Sequence, residues 1–346
     1  MPNMTGSIQI QPLDARPGGE WEQRLSACAD ATVFHSAAWL RVLQRTYGYT
    51  LYYLFAEPDF LFPIAEIRSR LTGVRGVCLP FTDLCAPLGK SASDREAIRS
   101  ALLAFGRSRG WSHVELRGDG DAAGEDPSIT YTAHRLDLRP GAARLRESFA
   151  SSARRAWSKA ERLGVRVEFS HSPEALRTFC QLHAMTRQRH GAPPQPPEFF
   201  HRLHEELLQK NQGFIAIGTA GSLPLSASVF LHHGKKAVYK FGASDAAYHK
   251  MRGNLAVMGQ ALLELAERGF DEVHFGRTSS DNDGLRRYKL LWGGTEEPLP
   301  YWRWSVETGR SLPVPDRTEG LHTTLFRRLP AQMNRWAGQI LYPHLD

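Results

Sequence analysis

The segment DEVHFGRTSSDNDGLRRYKLLWGG, residues 271–294, concentrates the residue types that could do chemistry in this sequence. A short β-rich run ends in Gly276 and Arg277, a loop of small polar residues follows, and Arg286, Arg287 and Lys289 then precede Trp292-Gly293-Gly294. Arginine offers a planar fork of donors and lysine a mobile point charge, so a strand delivering Arg277 and a short helix delivering Lys289 can clamp an anionic or carboxyl-bearing substrate. The plainer reading is a surface loop with solvated cations, or ion pairs internal to the domain.

Other candidates lie along the chain. Asp83 follows a buried-looking strand and can bind an acceptor amine or take its proton; capping the turn before Pro87 is the alternative. Tyr239 and Lys240 end a strand where they can hold substrate, although Tyr239 also suits a core. Arg187, Arg189 and His190 close a helix just before a Pro-rich break, a setting that suits phosphate and equally suits the dipole of a helix C-terminus. Asn254, Tyr288 and Arg155 complete the expected substrate contacts. No metal is expected: Cys180-x-x-His183 lacks a second half and His232-His233 lacks a third ligand. A Ser or Cys nucleophile is not indicated, since no G-x-S-x-G setting occurs.

These groups must be positioned by a chain of 346 residues, long enough for two domains. The 42% hydrophobic and 23% charged content is that of a globular protein. No apolar run reaches the length of a membrane span, and the N-terminus lacks the basic and apolar regions of a secretory signal. Four scattered cysteines read as reduced thiols, and a cytoplasmic location follows. The net charge is +7, and between Arg139 and Arg166 eight Lys/Arg face two Glu. That excess favours an anionic partner (phosphate, nucleic acid or acidic lipid), with a solvated helix face as the alternative.

Periodicity predicts a first strand near Ile8 and Ile10 and a helix from an N-cap at Ser36 to Gly48. Strands at 51–57 and 60–69 form a hairpin turning at Pro58-Asp59, and a further strand at 74–81 follows. A helix at 92–106 and strands at 111–117 and 131–138 complete the first half. The second half opens with an amphipathic basic helix ending at Gly164, then a strand and two helices split at residues 190–194. Three antiparallel strands with turns at Gly221 and Gly234, a helix at 254–268 and the strand DEVHFGR follow. The tail, with Leu325, Met333, Trp336 and Ile340 among interspersed arginines, suits a membrane surface, or packs on the body of the protein.

The order of central strands, a loop onto a helix N-terminus and a strand resembles the GCN5-related N-acyltransferase (GNAT) core, in which loop amides and the helix N-terminus receive a pyrophosphate. Of the glycine-rich loop of acetyl-CoA users only Arg252-Gly253-Asn254 is present, which argues against coenzyme A as donor. The segments FHSAAWLRVL, LPFTDLCAPL, RRAWSKAERLGV, MTRQRHGAPPQPPEFF and FGRTSSDNDGLRRYKLLWGG together resemble the FemAB family of peptidoglycan-bridge aminoacyltransferases and their exopolysaccharide-associated relatives, over roughly residues 30–310. The resemblance implies an α/β (α+β) fold of two tandem GNAT-like domains with mixed, mostly antiparallel sheets. The expected division is 1–140, 141–315 and a helical tail at 316–346. It also implies transfer of an acyl or aminoacyl group onto an amine, at a cleft where the domains join. The acceptor implied is a phosphate-bearing envelope or sugar precursor, and the donor, aminoacyl-tRNA or acyl-CoA, is a co-substrate rather than a bound cofactor. The helical hairpin that engages tRNA in some members is not evident. Two rivals stay open: an acyl-CoA-dependent acyltransferase on an amino sugar, and a non-catalytic module binding nucleic acid or other anions.

Overall fold

A computed structural model describes residues 7–57, 60–89, 95–118, 126–316 and 321–345. The expected turn at Pro58-Asp59 lies outside the described residues. The chain divides into two compact units that are not contiguous in sequence. The first comprises residues 1–132, 298–316 and 341–346, and the second 133–297 and 317–340.

In the first unit β1 (Gln9–Pro12), β2 (Thr50–Ala56), β3 (Phe60–Ser69) and β4 (Gly73–Val77) pair antiparallel in turn. β4 then pairs parallel with β5 (His113–Arg117), reached through helix α3 (Arg95–Arg109). Before β2 come α1 (Glu20–Leu25) and α2 (Ala37–Tyr47). The expected caps of α2 are present: Ser36 Oγ accepts from the Trp39 amide, and Gly48 closes the helix at φ +72°. Helix α1, in a stretch that reads as a polar lead-in, is held by its buried Trp21 and Leu25 at i, i+4 spacing.

β6 (Ile129–Asp137) leads into the second unit, where α4 (Ala142–Ser148) and α5 (Ser151–Arg162) replace the single basic helix read from the sequence. The break is at Phe149-Ala150, whose extended backbone lets the Phe149 ring meet Trp292 edge-on at 5.1 Å. β7 (Val165–Ser170), α6 (Pro173–Arg189) and α7 (Pro197–Glu206) follow, then β8 (Gly213–Ala220), β9 (Leu223–His233) and β10 (Lys236–Ser244). These four strands pair antiparallel in sequence order. Helix α8 (Gly253–Glu267) crosses over to β11 (Glu272–Thr278), which pairs parallel with β10. Short α9 (Asp283–Leu290) and β12 (Thr295–Ser305) come next, and β12 returns the chain to the first unit against β5. The tail holds α10 (Leu321–Arg328) and α11 (Ala331–Leu341).

Each unit therefore repeats one plan: three antiparallel pairings, a crossover helix, then a parallel pairing, α3 serving β4/β5 and α8 serving β10/β11. The tandem, mostly antiparallel α/β organisation is thus present, although the chain carries no repetition legible as sequence. Each repeat has its own packing solution. In the first unit Glu115 is buried, receiving Arg117 Nε at 2.6 Å and Arg303 Nε at 2.8 Å. In the second, the Trp157 ring of α5 lies on Gly259 of α8, where a Cβ would come within 2.6 Å of the indole.

Two predictions follow from this packing. Burial works to raise the Glu115 pKa, but the Arg117 and Arg303 charges and their hydrogen bonds hold it down to about 2. A depressed carboxylate contributes stability above its unfolded value near 4.5, and that stability is lost as pH falls through about 2. Glu115→Gln should cost about 3–5 kcal/mol at neutral pH, because two arginines lose their buried partner, and should flatten the fall of Tm between pH 5 and 2. An unchanged acid limb in thermal melts would contradict this. Gly259→Ala should be destabilising, its overpacking of about 1–3 kcal/mol offset by ~1 kcal/mol of helix propensity. Gly259→Val should fall further; an equal or higher Tm for either variant would remove Gly259 as the seat of Trp157.

Candidate active site

The chemistry-bearing residues gather where β10 and β11 stop pairing. Their parallel register runs Lys236/Glu272, Ala237/Val273 and Val238/His274 and ends there, while the strands continue to Ser244 and Thr278. Both strands depart from regular geometry at that level. On β10 the register with β9 shifts between Tyr239 and Phe241, leaving Lys240 as an extra residue, a β-bulge. On β11 Gly276 takes φ +72° and its N–H donates to His274 Nδ1 at 3.0 Å. The outcome is a wedge between two parallel strands, edged by backbone that no longer pairs across it.

Helix α8 begins beside this wedge. Gly253 at its first turn sits against β9, where a Cβ would meet Leu225 Cβ at 3.0 Å and Ser226 Oγ at 3.1 Å. No side chain caps the helix, and Arg252 precedes it in a left-handed conformation at φ +59°. The Leu255 amide donates to the Arg252 carbonyl at 3.0 Å, so it is the Gly253 and Asn254 amides of the first turn that are presented for an anion. The preceding loop is no open cradle: Ala246–Met251 is a 3-10 helix capped by Asp245, whose Oδ1 accepts from the Ala247 amide at 2.9 Å. Part of its backbone is spent internally, with the Tyr248 amide on the Asp245 carbonyl and the Arg252 amide on the His249 carbonyl.

Two phenols line the region. The Tyr288 hydroxyl, from α9, donates to the Asn254 carbonyl at 3.4 Å, and burial, with Tyr239 adding to it, holds its pKa well above the usual tyrosine range. The Tyr239 ring folds back over Gly242, where a Cβ would come within 1.8 Å of its hydroxyl oxygen. Burial pushes the Tyr239 phenol up to about 12, against a lowering contact with Ser228. Both therefore stay protonated and act as hydrogen-bond donors at neutral pH.

Lys289 is 2% exposed. Its ammonium donates to the Gly276 carbonyl at 2.8 Å, the Arg277 carbonyl at 3.0 Å and Thr278 Oγ1 at 2.8 Å. The side chain read from the sequence as a substrate clamp is thus engaged in fixing the end of β11, whereas the Arg277 side chain is exposed. Behind Lys289 stands a network that the sequence did not reveal. His134 Nε2 lies 3.1 Å from Glu296 Oε1, and Arg286 forms a paired contact with the same carboxylate at 2.6 and 2.7 Å. Burial first, then the Lys289 charge, lowers the His134 pKa, which keeps this imidazole neutral near pH 7. No local pattern could have found the group, because its members come from β6, α9 and the start of β12.

The remaining candidates are more dispersed. Arg189 Nη1 donates to the Ser244 carbonyl at 3.3 Å, and Thr186 Oγ1 donates to the same carbonyl while accepting from the Ser244 amide, so α6 is tied to the free end of β10. Arg187 Nε donates to the Pro193 carbonyl at 3.2 Å. Lys240 Nζ lies 5.5 Å from the Phe241 ring centre. Arg155 is exposed on α5. Asp83 belongs to the first unit, where its carbonyl accepts from the Tyr301 hydroxyl at 2.6 Å. The equivalent wedge of that unit is filled by its own chain. Beyond the end of β4, Leu88 exchanges backbone hydrogen bonds with Leu61 of β3, and the Cys85 amide donates to the Arg117 carbonyl of β5. Leu79 and Phe81 take φ +52° and +57° on the way into this segment. Among the described residues no group of three or more His, Cys, Asp or Glu is placed to hold a metal ion.

Comparison with known proteins agrees with this fold. Residues 147–290 match the family model described as an acetyltransferase (GNAT) domain. No curated protein matches the sequence. Among solved structures, FemX aligns with a TM-score of 0.61 at 12% identity, covering 84% of this chain and 96% of that one. The C-terminal domain of a putative lysylphosphatidylglycerol synthetase from Agrobacterium fabrum aligns at 0.53 and 13% identity, covering 91% and 95%. A tandem GNAT protein from the clavulanic acid biosynthesis pathway aligns at 0.53 and 9% identity, covering 86% and 98%. Residues 147–290 thus match a GNAT acetyltransferase domain, which supports an acyltransferase, and the chain that carries them has a fold similar to FemX and to a tandem GNAT protein.

Proposed function

We propose that the second unit transfers an acyl or aminoacyl group from a phosphate-bearing donor to an amine of a cell-envelope or polysaccharide precursor, on the cytoplasmic side. The observation that carries this reading is the wedge between β10 and β11 with an uncapped helix N-terminus and two protonated phenols beside it. The donor carbonyl enters the wedge and its oxygen meets backbone N–H groups at the unpaired edge of β10, where charge develops as the tetrahedral adduct forms. The amine nitrogen bonds to the carbonyl carbon and loses a proton. The ester oxygen or thiolate departs and gains one, for which Tyr288 or Tyr239 is the donor, and the amine's proton restores that phenol. The α8 amides and the exposed Arg277 hold donor phosphate. Lys289 acts as a positioning residue by fixing the backbone of 276–278. Lys240, Arg187, Arg189, Asn254 and Arg155 are proposed as the second unit's substrate contacts.

Two donors share the required chemistry of an activated carbonyl attached to phosphates. The family match favours an acyl-CoA, as in the rival reading of acylation of an amino sugar. The 3-10 helix in place of a glycine-rich loop, and the fold shared with FemX and a lysylphosphatidylglycerol synthetase domain, favour a charged tRNA. Native mass spectrometry and thermal shift with acetyl-CoA, longer acyl-CoAs, charged tRNA and UDP- or undecaprenyl-linked amino sugars separate them. A saturable response to an acyl-CoA alone selects the first donor, and a response to charged tRNA the second. Silence toward every donor, with salt-sensitive nucleic-acid binding retained, would overturn catalysis in favour of a binding role.

With a donor in hand, Tyr288→Phe should lower kcat about 10²-fold with little change in KM or Tm, since only a proton donor is removed. Lys289→Met should lower both Tm and activity, because stranding its three acceptors costs about 1–3 kcal/mol. If Arg277→Ala and Lys289→Ala both kept kcat/KM within about threefold of wild type, neither residue would belong to the site.

A further inference from the structure

Helix α11 has two faces, and only one of them packs on the protein. The inner face is fitted closely to the loop after α6. Gly338 lies against Pro194, whose carbonyl oxygen would be 2.1 Å from an added Cβ, and Asn334 Nδ2 donates to the Ala192 carbonyl at 3.4 Å. On the preceding α10, the Thr323 backbone lies against Gly191, and just after it the Leu329 carbonyl accepts from Gln188 Nε2 at 2.8 Å. These contacts fix the rotation of the helix about its axis.

That rotation leaves Met333, Trp336 and Ile340 on the opposite side, at i, i+3 and i+7, exposed by 52%, 65% and 43%. Leu325 on α10 is exposed by 57%. A helix docked through a glycine and an asparagine while its tryptophan, methionine and isoleucine face water inverts the usual burial order. The same two helices carry Arg327, Arg328 and Arg335, all exposed, and residues 321–341 contain no Asp or Glu.

We infer that this face docks on an anionic lipid bilayer, with Met333, Trp336, Ile340 and Leu325 entering the headgroup–acyl boundary and the arginines meeting lipid phosphates. An indole with an apolar body and a polar N–H suits that boundary, and an acid-free arginine set supplies the charge complementarity. No described helix is long and apolar enough to cross a membrane, so the contact is with the surface. This docking is separate from the transfer chemistry and does not depend on which donor is used.

The test is cosedimentation of the full chain with vesicles of phosphatidylcholine alone and of phosphatidylcholine with phosphatidylglycerol, at low and raised salt. Binding is expected only to the phosphatidylglycerol vesicles, weakening with salt. The combined Met333→Ser, Trp336→Ala and Ile340→Ser variant should bind about tenfold or more weakly. Arg328→Glu and Arg335→Glu should each lose about fivefold or more. Thermal melts of all these variants should match wild type, because the altered side chains are exposed. Equal binding to phosphatidylcholine alone, no vesicle binding, or unchanged binding by the triple variant would overturn the inference. So would a concentration-dependent dimer abolished by the same substitutions without vesicle binding, which would assign the face to a second copy.

Discussion

The proposed transfer chemistry depends on two parallel strands that pair for three residues and then separate. Parallel pairing is ordinarily continued to the strand ends, because an unpaired buried amide or carbonyl costs about 1–3 kcal/mol. Here β10 is bent by the extra residue Lys240 and β11 by Gly276, so the separation is built into both backbones. Lys289 then holds the far side of the wedge by giving its ammonium to the carbonyls of Gly276 and Arg277 and to Thr278. A buried lysine is an expensive brace. Its presence argues that the geometry of 276–278 matters more than the stability a smaller apolar residue would give.

The two repeats differ at this wedge. In the first unit the space beyond β4 is taken by the segment around Cys85–Leu88, which bonds to β3 and β5, and Arg117 closes the end by donating to the Leu79 and Thr82 carbonyls. Buried Glu115 then balances Arg117 and Arg303, an arrangement suited to rigidity. In the second unit the wedge is edged by strand backbone, a helix N-terminus and two phenols. One plan thus gives a repeat filled by its own chain and a repeat whose strands separate without such a filling segment.

Much of this was legible in the sequence. Helix α2 with its Ser36 and Gly48 caps, the hairpins of β2/β3 and β8/β9/β10, and the α8–β11 crossover all follow from periodicity and turn residues, because each is decided locally. That Arg277 and Lys289 come together was legible from their spacing, but the direction of the lysine was not. Whether an ammonium faces substrate or braces a backbone depends on three acceptors whose placement comes from the bend at Gly276. The His134–Glu296–Arg286 group was illegible because β6 and β12 bring together residues 162 positions apart. The break between α4 and α5 was missed because Phe149 keeps the helical apolar spacing while its backbone is extended to reach Trp292. The inverted burial of α11 was likewise hidden, since apolar periodicity shows that a face exists without showing which way it points.

The most direct measurement is hydrogen–deuterium exchange of the whole protein with and without whichever donor shifts its melting temperature. If the wedge of the second unit receives the donor, amides of residues 239–244 and of the first turn of α8 should become protected, while residues 79–88 of the first unit stay unchanged. Protection confined to 79–88, or no change at 239–244 under conditions of demonstrated turnover, would place the acyl group elsewhere and contradict the account.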